Sequence, residues 1–69
     1  MSDLLEAARF NWVYQAELFR IFLEHNGVGA VVFDTQSSGY SEGALTGVRV
    51  MVLDDDLATA KELRRDYEG

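Results

Sequence analysis

The chain has 69 residues, a net charge of −6 with twelve Asp and Glu against six Lys and Arg, and neither cysteine nor proline. That length holds one small domain, residues 1–69, burying only about 60% of its unfolded surface, and without cysteine it has no disulfide or thiolate metal site to reinforce it. The acidic excess disfavours nucleic acid or an anionic membrane as partner, and 48% hydrophobic residues are too many for a disordered chain.

The N-terminal MSDLLEAARF lacks a basic start, so no secretory signal is expected. No apolar run approaches the ~20 residues of a membrane span, and a cytoplasmic location is the expectation. Leu4–Phe10 (LLEAARF) reads as a short strand, because a helical pattern begins just after Phe10-Asn11. In Trp12–Asn26, the residues Trp12, Ala16, Phe19 and Leu23 recur on one helix face. Trp12 is expected to open this core stripe, Asn11 to cap the helix start and Gly27 to cap its end. Glu17 and Arg20 are charged neighbours on its surface.

Val28–Phe33 (VGAVVF) is short and β-branched, and reads as a buried strand. Val48–Leu53 (VRVMVL) is a third strand with Val48, Val50 and Val52 on one face and Arg49, Met51 and Leu53 on the other. Between them lies DTQSSGYSEGALTG, Asp34–Gly47, far longer than the roughly 2–5 residues of a usual hairpin loop. Leu57–Tyr67 is a second amphipathic helix with Leu57, Ala60, Leu63 and Tyr67 as its stripe.

The order strand, helix, strand, strand, helix predicts an α+β ferredoxin-like fold without its last strand. The third strand fits between the first two, antiparallel to both, and both helices lie on one face of the three-stranded sheet. Two apolar surfaces then lack cover. One is the open sheet face, carrying either the valines or Met51 and Leu53. The other is a second stripe of the first helix, Tyr14, Leu18 and Ile21, with Phe22 bridging to the core stripe. With a marginal core and a bare first strand, they point to a homodimer or to docking on a protein partner.

Chemistry is sparse. Asp54-Asp55-Asp56 precedes a helix, where acids oppose the helix dipole, and the oxygen-ligand spacing of a calcium loop is absent. His25, the sole histidine, sits in a last helical turn with no matched nucleophile. Gly27-Val28-Gly29 lacks the third glycine and following helix of a phosphate-binding loop. No catalytic residue, metal or cofactor is expected. The candidate ligand or partner loop is Ser37, Ser38, Gly39, Tyr40, Ser41, Glu42 and Gly43, whose glycines can turn backbone N–H groups toward an anion. The candidate interaction face is Tyr14, Leu18, Ile21, Phe22, Met51 and Leu53.

Two stretches carry a family resemblance. Gln15-Ala16 runs through Leu23 to Gly27-Val28-Gly29-Ala30, and Val48 to Asp56 is followed by Ala60 and Leu63. In these the chain resembles the small bacterial family of putative prokaryotic signal transducing proteins, over nearly its whole length. That family is named for a likeness to the PII (GlnB-like) nitrogen regulators, which are ferredoxin-like. Their long hairpin loop contacts partners and bears a modified tyrosine, and Tyr40 stands at the analogous place here. The resemblance implies a GlnB-like regulatory or signal-transducing module, not an enzyme, binding a small-molecule ligand or partner through its 34–47 loop. The alternative is a pure interaction domain whose loop is inert.

Overall fold

A computed structural model describes residues 3–34 and 47–68. Strand β1 is Leu4–Phe10, helix α1 Val13–His25, strand β2 Ala30–Asp34, strand β3 Val48–Leu53 and helix α2 Leu57–Glu68. The sheet order is β1-β3-β2, with β3 antiparallel to both neighbours. This is the expected β-α-β-β-α order of a ferredoxin-like α+β fold.

Alternation in β3 fixes the layers. Val48, Val50 and Val52 are fully buried, so Arg49, Met51 and Leu53 turn to the other side. Register extends this choice across the sheet. Leu5, Val52 and Ala30 form one row toward the helices, Ala8, Val50 and Val32 a second, and Phe10, Val48 and Asp34 a third. Ala16, Phe19 and Leu23 of α1 and Ala60 of α2 close the core from above. The Cα trace spans only 16 Å along its shortest axis, the thickness of two layers, and no helix or strand among the described residues lies beneath the sheet.

Strand β1 carries a bulge. The ladder pairs Glu6 with Met51 and Ala8 with Val50, which leaves Ala7 as the extra residue. Both Ala7 and Ala8 are buried as a result. In an unbroken strand Glu6 would share a face with Ala8 and Phe10 and meet the core. The bulge moves it to the open side instead. There it accepts a hydrogen bond from Arg9 Nη2 at 2.9 Å, a pairing at i,i+3 that regular alternation forbids.

Helix α1 starts one residue later than the sequence suggests. Trp12, not Asn11, is its N-cap, in extended conformation (φ −129°, ψ 146°) and with no side-chain cap bond. Trp12 is therefore not a core residue. Its side chain swings off the helix stripe and stands 60% exposed. The C-terminus follows expectation. Gly27 adopts φ 85°, its N–H donates to Glu24 O at 3.0 Å, and the Val28 N–H donates to Leu23 O at 2.9 Å. These two bonds form a Schellman motif, and the left-handed residue it needs is glycine. The turn delays β2, which begins at Ala30 rather than Val28.

Asp54–Asp56 form a single 3-10 turn that feeds α2. Its acidic side chains lie at the positive end of the helix dipole. Where the helices meet β1, Phe19 lies 5.7 Å from Phe10, 6.2 Å from Phe22 and 5.2 Å from Tyr67, between ring centroids. The Arg64 guanidinium caps this cluster, 4.9 Å from the Phe10 ring centre. On the α1 surface Arg20 bonds Glu17 and Glu24, each at 2.8 Å, and the Glu17 carboxylate raises the Arg20 pKa above its ordinary value.

Candidate functional site

The side of the sheet away from the helices is built from three rows. Leu4 and Leu53 form the first, Glu6, Met51 and Val31 the second, and Arg9, Arg49 and Phe33 the third. Leu4, Val31, Phe33 and Leu53 are each 41% to 43% exposed, and Met51 between them is half-buried. Apolar surface on four neighbouring positions makes one patch, not the scattered single residues of an ordinary surface. At its Leu53 end the patch sinks into an open depression of about 360 Å³, lined by Leu4, Val31, Met51 and Leu53 and by the carboxylates Glu24 and Asp56.

Met51 and Leu53, from the expected interaction face, belong to this patch. The others sit elsewhere. Tyr14, Leu18 and Ile21 are exposed on the outer side of α1, across the slab from the open sheet face. Phe22 is half-buried, with its ring 5.0 Å from Tyr67, and it packs against the core. Ser37, Ser38, Gly39, Tyr40, Ser41, Glu42 and Gly43 lie outside the described residues. Their flanks are described. Asp34 ends β2 and Gly47 leads into β3, both at the Arg9–Arg49–Phe33 end. Gly47 has φ 125°, and a Cβ there would lie 3.3 Å from the Arg9 side-chain stem, so the backbone passes close over that arginine.

Catalytic equipment is not assembled among the described residues. No polar or charged residue is fully buried among them, and no group of three or more His, Cys, Asp and Glu is placed to hold a metal ion. His25 is exposed in the last turn of α1. No helix among the described residues is long and apolar enough to cross a membrane.

Sequence reasoning missed Val31 and Phe33 as members of the patch. Their alternation with Ala30 and Val32 was a usable signal, once β2 starts at Ala30. It also missed the meeting of Arg9 with Arg49. That pairing depends on the β1–β3 register and its bulge, which no local pattern announces.

No curated protein and no solved structure shows significant similarity to this sequence. One family profile does match, and it runs from residue 4 to residue 68, across both helices and all three strands. The α1-to-β2 turn and the β3-to-α2 passage described above thus fall within a shared family pattern, and the chain belongs to the family described as putative prokaryotic signal transducing protein.

Proposed function

We propose that this chain is a non-enzymatic regulatory module that acts by association, forming a homodimer through the open face of its sheet. The apolar patch of Leu4, Val31, Met51 and Leu53, uncovered on one side of a two-layer slab, carries this reading. The depression beside Leu53 gives the patch a shape as well as an area. Leu53 both lines it and stands exposed, so a two-fold axis near this residue lets each copy seat an apolar side chain in the other.

Size sets the strength. Three strands about 4.8 Å apart and about 17 Å long offer on the order of 250 Å² in projection, well below the roughly 800 Å² per partner of a standard stable interface. The dimer is therefore weak and concentration-dependent. Each copy carries −6, so mutual repulsion opposes pairing and added salt strengthens it.

The test is an amide NMR dilution series of the whole chain. Concentration-dependent shifts are expected at Leu4, Val31, Met51 and Leu53, and Val31→Lys removes them while the core resonances stay in place. Shifts confined instead to Tyr14, Leu18 and Ile21 would assign association to the outer side of α1. Shifts confined to Ser37–Gly43 would restore the loop as the contact.

A further inference from the structure

We propose that Arg49, with Arg9 and Phe33 beside it, forms a receptor for a small oxyanion, carboxylate or phosphate, that carries a planar apolar body. Phe33 borders the apolar patch as well, but the charged group that defines this site lies at the opposite end of the sheet from Leu53, where self-association is centred. Four residues of β3, about 13 Å, separate Arg49 from Leu53.

The first observation is a placement of charge that folding alone disfavours. The chain has only six cationic side chains against twelve acidic ones. Two of the six, Arg9 and Arg49, are directly opposite each other on neighbouring strands and on the same open face. Opposed side chains have Cβ atoms about 4.5–5.5 Å apart, and like charges there repel. Glu6 answers one of them, bonded to Arg9 at 2.9 Å. The three residues together keep one positive charge, and it belongs to Arg49.

The second observation is an unmet donor. Arg49 Nε is buried and has no hydrogen-bond partner. A buried N–H left unpaired is costly, and native structures contain few of them. Arg49 also makes no ion pair among the described residues, unlike Arg9 and Arg20. The Nε–H and one terminal N–H of a guanidinium form a planar fork that matches two oxygens of a carboxylate or phosphate. Nε is shielded by its neighbours, so the Arg49 side chain must turn outward to receive an oxyanion on this fork; that pairing would satisfy the orphan donor and offset the repulsion between the two arginines.

The third observation selects the body of the ligand. Phe33 flanks Arg49 on the side away from Arg9, and it is 41% exposed. An oxyanion held by Arg49 brings whatever it is attached to over this ring. A flat aromatic group fits there by offset or edge-to-face contact.

The experiment follows the arginine Nε–H resonances of the intact ¹⁵N-labelled chain. Benzoate, acetate and phenyl phosphate are titrated in turn, with sodium chloride at matched ionic strength as control. A saturable shift of the Arg49 Nε–H is expected with all three. Benzoate should bind about 2- to 10-fold more tightly than acetate, from its contact with Phe33. Phe33→Leu should bring benzoate to the level of acetate and leave acetate unchanged. The tighter of benzoate and phenyl phosphate identifies the headgroup. Arg49→Gln, followed through the Arg9 Nε–H and the Phe33 backbone amide, abolishes the response, and Arg49→Met raises the Tm, since it removes both the repulsion and the orphan donor. No saturable change, a change equalled by chloride, or binding retained in Arg49→Gln overturns the proposal. Added salt weakens this binding but strengthens the dimer, so the failure of one reading is distinct from the failure of the other.

Discussion

Phe19 holds three elements together, and replacing it with leucine isolates what its ring contributes. The residue is fully buried and meets Phe10 at 5.7 Å, Phe22 at 6.2 Å and Tyr67 at 5.2 Å. Leucine keeps most of the apolar burial and loses all three ring contacts. Each aromatic pair is worth about 0.5–1.5 kcal/mol beyond burial. Allowing for the contacts leucine regains, Phe19→Leu should cost about 1.5–3 kcal/mol. At roughly 0.05–0.15 kcal/mol per residue the whole domain has only about 3.5–10 kcal/mol. Phe19→Leu therefore folds, whereas Phe19→Ala, at about 3–5 kcal/mol, consumes most of that margin. Urea unfolding followed by far-UV circular dichroism reads the difference. With a slope near 1 kcal/mol per M, the midpoint of Phe19→Leu falls by about 1.5–3 M. A double-mutant cycle with Tyr67→Leu should show coupling of about 0.5–1.5 kcal/mol. A loss below about 0.5 kcal/mol, or strictly additive single variants, would refute the ring cluster as a source of stability.

Other consequences are as direct. Trp12 is 60% exposed, so its fluorescence in the native state should lie close to that of solvated indole and shift little on unfolding. A blue-shifted native emission would contradict its placement outside the core. Gly27→Ala must hold an alanine at φ 85° and should cost about 1–2 kcal/mol in thermal or urea unfolding; no loss would mean that the turn does not need a left-handed residue. Deleting Ala7 removes the extra residue and leaves Glu6 opposite Met51 and Ala8 opposite Val50. One buried methyl is lost, about 0.8 kcal/mol, against one less residue to order, so the variant should fold with a stability change under about 1.5 kcal/mol. Failure of the deletion to fold would show that β1 is not bulged at this point.

Much of the framework is legible in the residues themselves. The alternation of Val48, Val50 and Val52 against Arg49, Met51 and Leu53 determines the range of β3 and its two faces, and the structure buries the valines; Ala16, Phe19 and Leu23 likewise mark the buried face of α1. The expected strand order, with β3 paired to β2 by a hairpin and inserted between the two parallel strands, is the one observed. Trp12 is misread because periodicity sets which positions share a face and not where the helix begins. One residue's delay takes Trp12 off the helix and out of the core. Leu4–Phe10 has no clean alternation because its bulge breaks the period at Ala7. The Arg9–Arg49 contact needs residues forty positions apart to meet in a particular register, so it becomes visible only in the assembled sheet. The loop expectation for Ser37–Gly43 rests on composition and on place in the fold.

Sedimentation equilibrium of the wild type beside Val31→Lys distinguishes a chain that pairs through its open sheet face from one that does not. The wild type should show a monomer–dimer equilibrium that shifts toward dimer as protein concentration and salt rise. Val31→Lys should remain a folded monomer throughout. A wild-type chain that stays monomeric at every concentration and salt, or a Val31→Lys variant that dimerises as the wild type does, would contradict pairing through that face.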